Sequence, residues 1–334
     1  YLVVAASPTD LLAEFGVTAL GPWTGSLSSD GETVELRDAA AGGDRVDFQV
    51  GFPWPTTGDD PYNSMELVHP KFDNDLSGSW RSSLGTPTPG LVNSVLAGNL
   101  PPQARQVAHF PEVPTSSDAV TITAKVSDPD GVASVTLHHR VVDPGSYVRL
   151  SDGAYETGWT DVPMVDDGTG GDLVAHDSVF TAVLPASMQV HRRLVRYRIT
   201  VADALGQSVR LPYADDPQPN FAYFVYDGIP DWSGANQPGV TPVETFGPAV
   251  MNAVPAYHLI AVESDVIACQ YTGSTSQRYY GTLVHDGEVH DHIQFNIRGE
   301  FSTRVVGKNK WRIRFKRGHY FKARDNFGNK LASK

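Results

Sequence analysis

The chain has 334 residues, of which 40% are hydrophobic and 19% are charged, and this composition is typical of a folded protein with two or three domains. It contains no run of 18 or more apolar residues, which excludes a membrane-spanning helix. Cys269 is the only cysteine, so an intramolecular disulfide and a thiolate metal cluster are both excluded. The 31 glycines and 24 prolines predict frequent turns and short strands rather than long helices.

The formal net charge of −12 is unevenly distributed along the chain. Residues 291–334 contain 12 Lys or Arg and 3 Asp or Glu. The preceding 290 residues contain 14 Lys or Arg and 35 Asp or Glu. A basic segment of this kind attracts phosphate groups or an acidic protein surface. We expect no nucleic-acid partner, because the basic residues alternate along strands and the acidic bulk of the chain would repel a polyanion.

Residues 1–94 predict a β-rich domain with one short helix. Ser7 is a suitable N-cap for a helix over 11–15, and Gly16 predicts its end. Strands are expected at 1–6, 25–28, 32–36, 45–50 and 65–68. The second and third of these are expected to pair around a turn at 29–31.

Four sequence segments in residues 1–94 resemble the carboxy-terminal half of a bacterial lamin-tail domain. They are YLVVAASP, GPWTGSLSSDGETVELRDA, SMELVHPKFDNDLSGSWRSS and GTPTPGLVNS. The resemblance implies an immunoglobulin-like β-sandwich that lacks its opening strands, in a family with no known catalytic chemistry. Trp23, Trp54 and Trp80 are interpreted either as core and corner aromatics of this sandwich or as a carbohydrate platform.

Residues 95–114 are rich in proline and lack periodicity, so they predict a linker. Residues 115–227 then contain about seven short alternating segments separated by turn signals, which indicates a second sandwich. This region resembles an immunoglobulin-like or fibronectin-type-III-like module. Residues 228–255 form a second irregular stretch, which we interpret as a linker.

The segment VDDGTGGDLVAHDSVF within the second sandwich carries Asp166, Asp167, Asp172 and Asp177 among glycines. Ca²⁺ prefers several oxygen ligands, so these carboxylates are candidate calcium ligands. Their spacing differs from that of an EF-hand loop. The alternative interpretation is a loop whose aspartates accept hydrogen bonds from its own turns.

Residues 256–334 contain two alternating segments around a polar loop. Apolar residues alternate with polar ones over 293–298 and again over 310–315, which predicts two half-buried strands. The loop between them offers glycines, hydroxyl groups and cations, and this combination suits an anion site. The alternative is a solvated cationic face without a ligand. His285, His290 and His292 lie near the turn at 286–287 and are interpreted as surface or hydrogen-bonded histidines rather than metal ligands.

Three segments of the same region resemble the start of a CotH-type spore-coat kinase domain. They are PAYHLIAVESDV, YYGTLVHDGEVHDHIQFNIRGEFST and GKNKWRIRFKRGHYF. The family has an RG-x-x-S element followed by a Lys-rich strand. The resemblance implies an atypical protein kinase that uses ATP and Mg²⁺, with its phosphate contacts at Arg298, Ser302, Lys308 and Lys310. The catalytic acidic residues of such a kinase are expected in a second lobe, beyond Lys334.

The sequence therefore predicts a mainly β protein: two immunoglobulin-like sandwiches, the first truncated, followed by an incomplete kinase-like N-lobe sheet. We expect a fragment of a modular exported bacterial protein, at the cell surface or outside the cell, that is inactive as a kinase on its own. Its partner would be a protein acceptor substrate or a cell-surface component. The alternative function is a non-catalytic adhesion or carbohydrate-binding scaffold.

Overall fold

The computed structural model describes residues 1–40, 42–57, 63–253, 255–271, 276–299, 310–322 and 329. These residues are mainly β, arranged in several antiparallel sheets, as the sequence predicts. Three α-helices are present among them: α1 (Pro8–Phe15), α2 (Pro248–Met251) and α3 (Glu263–Tyr271). Over the described part of the chain, every helix is too short to cross a membrane.

Helix α1 begins and ends where the local sequence predicts. The Ser7 side chain accepts a hydrogen bond from the backbone N–H of Asp10 at 3.3 Å, which satisfies one of the unpaired donors of the first turn. Gly16 follows the helix with φ 70°, and its N–H donates to the Leu12 carbonyl. A residue with a Cβ adopts this left-handed conformation with strain, so glycine suits the position.

The described strands of residues 1–94 form two separate antiparallel pairs. These are β1 (Gly31–Arg37) with β2 (Gly43–Gln49), and β3 (Met65–Leu67) with β4 (Trp80–Ser82). The predicted pairing of 25–28 with 32–36 is wrong, since Glu32 pairs with Phe48. The Gly- and Ser-rich segment 25–28 offers little side-chain area for cross-strand packing, whereas β2 contains Val46 and Phe48.

The expected strand over 1–6 is also absent, and these residues contribute one isolated bridge between Val4 and Leu20. Tyr1 and Leu2 are exposed, and so is Leu36 on β1. The hairpins of this part of the chain therefore bury little apolar surface of their own.

The central part of the chain is a two-sheet sandwich. One sheet has the order β5-β6-β9, from β5 (Gln103–Phe110), β6 (Val120–Ser127) and β9 (Val179–Leu184). The other has the order β11-β10-β7-β8, with β12 also paired to β10. Its strands are β7 (Val132–Val142), β8 (Thr160–Pro163), β10 (Leu194–Asp203), β11 (Ser208–Leu211) and β12 (Phe221–Phe224).

The core of the sandwich follows from the period-2 pattern of its strands. Val120, Ile122 and Ala124 on β6 are fully buried and alternate with half-buried threonines. They pack in one cluster with Leu137 of β7 and Ile199 of β10. Burial of each valine, leucine or isoleucine in this cluster contributes about 1.5–3 kcal/mol relative to leaving it exposed, so the cluster stabilises the sandwich.

Both segments interpreted as linkers contain secondary structure. Strand β5 lies within 95–114 and pairs with β6, so this segment is an edge strand of the sandwich. Residues 228–255 contain α2 and a hairpin of β13 (Trp232–Gly234) and β14 (Glu244–Phe246). The flanking prolines favoured a linker over a strand in the sequence. They are compatible with β5 because an edge strand tolerates proline at its ends.

The last described sheet is an antiparallel meander with the order β15-β16-β17-β18. Its strands are β15 (Tyr257–Ala261), β16 (Tyr279–His285), β17 (Glu288–Arg298) and β18 (Lys310–Arg314). The two strands predicted from alternation, β17 and β18, are both present. Asp286 and Gly287 join β16 to β17 with φ angles of 50° and 79°, as a two-residue type I′ hairpin requires.

Asp216 of the sandwich connects all three parts of the chain. Its carboxylate accepts hydrogen bonds from Thr56 Oγ1 at 3.2 Å and from His319 Nε2 at 2.6 Å. Gly51 and Gly318 also meet closely, because a Cβ on Gly318 would lie 2.7 Å from the Cα of Gly51. All three parts therefore meet around Asp216.

Candidate functional site

Strands β17 and β18 place four cations on one face of the last sheet. In their register Arg298 lies opposite Lys310, Asn296 opposite Arg312, and Gln294 opposite Arg314. Directly opposed residues of an antiparallel pair share a face, with Cβ atoms about 4.5–5.5 Å apart. We call the face formed by Arg298, Lys310, Arg312 and Arg314 the cationic face.

Two amide side chains orient the guanidinium groups at one end of the cationic face. Asn296 Oδ1 accepts a hydrogen bond from Arg314 Nη1 at 2.9 Å, and Gln294 Oε1 accepts one from Arg278 at 3.4 Å. Burial lowers the pKa of Arg314, and the neighbouring Arg278 and Arg312 lower it further. The like charges therefore repel one another, and an anion bound here would relieve that repulsion.

Two of the four predicted phosphate contacts lie on this face, and two lie outside the described residues. Arg298 and Lys310 are opposed at the end of the strand pair, and both are exposed. Ser302 and Lys308 fall in the segment 300–309, outside the described residues. The two predicted phosphate contacts that the structure describes, Arg298 and Lys310, therefore lie opposite each other.

The opposite face of the same sheet is apolar and carries α3. Phe295 and Ile297 are fully buried there and pack with Cys269 of α3. A hollow of about 600 Å³ adjoins this packing and is lined by aromatic and aliphatic side chains that include Trp311 and Phe321. The cationic face is therefore backed by an apolar layer that packs against α3 and borders this hollow.

A buried ion pair fixes the last sheet to the sandwich. Arg196 of β10 donates from Nε to Asp291 Oδ2 at 2.6 Å and from Nη2 to Asp291 Oδ1 at 2.9 Å. Both side chains are fully buried. Thr282 and Asn220 also donate to the Asp291 carboxylate, and Asp291 N–H donates to Gln218. Every oxygen of this carboxylate is thus hydrogen-bonded, as a buried charge requires.

Burial and ion pairing have opposite effects on the pKa values of this network, and together they determine which of its groups are charged. Burial alone would raise the pKa of Asp291, but Arg196 and then His292 outweigh it and hold that pKa well below its usual range. Burial lowers the pKa of His292 to about 4, against a smaller opposing effect of Asp291. At neutral pH the network therefore contains one cation, one anion and a neutral imidazole.

The hydrogen bonds also identify the tautomer of His292. Asn220 donates its amide to Asp291, so its Oδ1 faces Tyr155 O–H at 2.7 Å and His292 Nε2 at 2.8 Å. Since this oxygen only accepts, His292 carries its proton on Nε2. His290 is buried as well, with Nδ1 at 3.2 Å from the His319 carbonyl. His290 and His292 are therefore buried, hydrogen-bonded groups.

Three of the four candidate calcium ligands meet in the sandwich loop. Carboxylate oxygens of Asp166, Asp172 and Asp177 lie within 4.8 Å of one another. Asp167 instead accepts from the backbone and hydroxyl of Thr169. The carboxylates of the group also accept backbone N–H bonds: Asp166 from residues 177 and 178, and Asp172 from Gly168. Both interpretations of this loop, ion binding and self-capping, are compatible with this geometry.

The most buried polar residues of the described structure were missed at the sequence level. Arg196 stands in the run LVRYRITV, and a charge inside such an apolar strand signals a buried partner. Its partner lies 95 residues further on, which local patterns do not reveal. Trp54 is buried and lies against the half-buried Trp80, with ring centroids 6.3 Å apart, whereas Trp23 is exposed.

Comparison of the chain with models of protein families and with curated proteins finds no match.

Proposed function

We propose that the β modules of this chain carry an atypical protein kinase lobe of the CotH type in an exported bacterial protein. In this proposal the cationic face contributes part of the site that binds the phosphates of ATP. The observation that carries the proposal is the register of β17 and β18, which aligns Arg298, Lys310, Arg312 and Arg314. The resemblance of the surrounding sequence to the CotH family supplies the substrate class.

The chemistry of the cationic face suits a polyphosphate. A guanidinium group binds two phosphate oxygens at once through its parallel N–H donors, and a lysine ammonium acts as a compact point charge. Arg298 and Lys310 stand opposite each other at the exposed end of the strand pair. A phosphate chain lying across the pair would therefore meet a cation from each strand.

The described residues fit the phosphates of ATP but do not fit Mg²⁺. The Asp291 carboxylate is fully buried and committed to Arg196. Asp265 on α3 forms an ion pair with Arg149 at 2.8 Å. Neither carboxylate is placed to hold a metal against the cationic face, so the role proposed for the described residues is binding and orientation of phosphate alone.

The rigid mounting of the last sheet supports the scaffold part of the proposal. The Arg196–Asp291 pair and the Asp216 junction join this sheet to the sandwich through buried polar contacts. A buried pair with fixed geometry favours one relative arrangement over others. The sandwich would thus hold the phosphate-binding sheet in a constant orientation.

Titration with tripolyphosphate tests the proposed site in this chain. We expect weak binding at low ionic strength that decreases as salt is added, because Arg298, Lys310 and Arg312 are exposed and salt screens their charges. Lys310→Ala and Arg298→Ala should each weaken it about fivefold, since one exposed ion pair contributes about 1 kcal/mol. Arg45→Ala, which removes an exposed cation from strand β2 of a different sheet, is the matched control. Equal losses in all three variants would contradict a localised site.

A further inference from the structure

The hairpin of β13 and β14 presents an exposed aromatic face. Trp232 pairs with Phe246, and Gly234 pairs with Glu244. Because side chains alternate along a strand, these four residues share one face, while Ser233 and Thr245 lie on the other. On that second face, the hydroxyl groups of Ser233 and Thr245 form a hydrogen bond with each other at 2.7 Å.

Trp232 is held in place although 53% of its surface is exposed. Its ring stacks on Phe246 with centroids 5.8 Å apart and an interplanar angle of 23°. The indole also lies over Gly234, where an added Cβ would overlap the ring. The indole is therefore preorganised, so a ligand that stacks on it loses little side-chain entropy on binding.

A hollow of about 680 Å³ lies beside this aromatic face. It is lined by all four residues of the face and by Asn236, Thr241 and Pro242 of the connecting loop. The loop is closed on itself, because Thr241 Oγ1 accepts from Gln237 N–H at 2.9 Å and lies 3.3 Å from the Gln237 carbonyl. The volume falls in the range of ordinary small-molecule sites.

We propose that this hollow binds a neutral oligosaccharide, with one sugar ring stacked on Trp232. The C–H face of a sugar ring is apolar and flat enough to cover an indole, and its hydroxyl groups need acceptors and donors at the edge. Glu244 supplies two carboxylate oxygens, and Asn236 supplies an amide with both functions. A single aromatic plane bordered by such groups matches this ligand class.

The same geometry argues against two other classes of ligand, proline-rich peptides and anions. A proline-rich peptide inserts its prolines between rings, but Trp232 and Phe246 stack on each other and leave no slot. An acidic sugar or phosphate would face Glu244 without a cation among the residues that line the hollow. This inference concerns a different part of the chain from the cationic face, so either proposal can fail without the other.

Binding of defined oligosaccharides to the whole chain tests the inference. The probes are cellohexaose, mannohexaose and N-acetylchitohexaose, with an oligogalacturonate and a proline-rich decapeptide as comparators, each measured by calorimetry. We expect at least one neutral hexasaccharide to bind, and Trp232→Ala to weaken that binding at least tenfold. Trp311→Ala removes another tryptophan, 37% exposed, from strand β18 and should leave that binding unchanged.

Two further variants separate stacking from a general loss of fold. Trp232→Phe keeps an aromatic plane of smaller area and should give intermediate affinity. Gly234→Ala adds a Cβ where the indole lies, so it should displace the ring and weaken binding without changing the melting temperature of the sandwich. The inference is overturned if none of the neutral probes binds, if the decapeptide or the oligogalacturonate binds more tightly, or if Trp232→Ala binds like the parent.

Discussion

Arg196 and Asp291 form a fully buried, doubly hydrogen-bonded ion pair between the sandwich and the last sheet. Asp291→Asn should lower the free energy of unfolding by about 3–5 kcal/mol, because it leaves a buried guanidinium without its counterion. Urea denaturation measures this loss. Asp143→Asn is the matched control, since Asp143 also accepts two bonds from one arginine but is 55% exposed. Asp143→Asn should lower the free energy of unfolding by at most about 1 kcal/mol. An equal loss in the two variants would contradict the conclusion that burial makes the loss of Asp291 costly.

The stability of the chain should fall as the pH drops from about 6.5 to 4. In this window the unfolded state binds a proton at residue 292, whereas the folded state does not, because burial lowers the pKa of His292 from 6.5 to about 4. Stability therefore rises with pH, by up to about 1.4 kcal/mol per pH unit for this group. Burial also lowers the pKa of four other histidines, which act in the same direction: His109, His139, His258 and His290.

Denaturation at several pH values isolates the contribution of His292. His292→Gln removes the titrating group. Between pH 4 and 6.5 the free energy of unfolding of this variant should therefore rise less steeply with pH than that of the parent, and the difference in slope should correspond to about one bound proton. An unchanged slope would show that His292 is not a neutral buried group. Below pH 4 the paired Asp291 remains ionised in the fold, so stability should continue to fall as the unfolded state takes up protons at that carboxylate.

The contact between Gly51 and Gly318 should make position 318 intolerant of a side chain. Both glycines have positive φ, and a Cβ on Gly318 would lie 2.7 Å from the Cα of Gly51. Gly131→Ala is the control, because Gly131 also has positive φ but has open space around it. Gly318→Ala should lower the melting temperature more than Gly131→Ala does, and the difference reports the packing of the last part against the first. Equal shifts would mean that backbone strain alone matters.

The aspartate loop of the sandwich should bind Ca²⁺ weakly at best. Asp166 and Asp172 already accept backbone N–H bonds, so ion binding competes with the turns that shape the loop. We expect micromolar Ca²⁺ to leave the melting temperature unchanged. Asp172→Asn and its parent should respond alike to the ion. A tight site would add about 2.7 kcal/mol at a hundredfold excess over its dissociation constant, and a shift of that size at micromolar Ca²⁺ would contradict this expectation.

Local signals in the sequence were sufficient where a few adjacent residues decide the structure. Ser7 and Gly16 mark the two ends of α1 because their effects act within one turn. The turn at Asp286 and Gly287 and the alternation of β17 and β18 were recognised for the same reason. The alternation predicted the strands that carry Arg298 and Lys310, whereas the resemblance to the CotH family singled out these two residues as phosphate contacts.

Pairing between segments that are far apart in the sequence could not be predicted from local signals. The partner of β1 was misidentified because the turn signal at 29–31 favoured the adjacent segment 25–28, whereas cross-strand side-chain packing favours β2. The buried network required the contact of Arg196 with Asp291, which depends on how two sheets pack. The aromatic face of Trp232 depended on strand register in a segment that looked irregular.

Phosphate transfer from ATP tests the central claim most directly. The assay uses the protein expressed from its whole gene, with Lys310→Ala and the control Arg45→Ala made in that background. The account predicts that the parent and Arg45→Ala transfer phosphate to a protein acceptor, that Lys310→Ala does so at least tenfold more slowly, and that residues 1–334 alone transfer none. An unchanged rate in Lys310→Ala, or transfer by residues 1–334 alone, would contradict it.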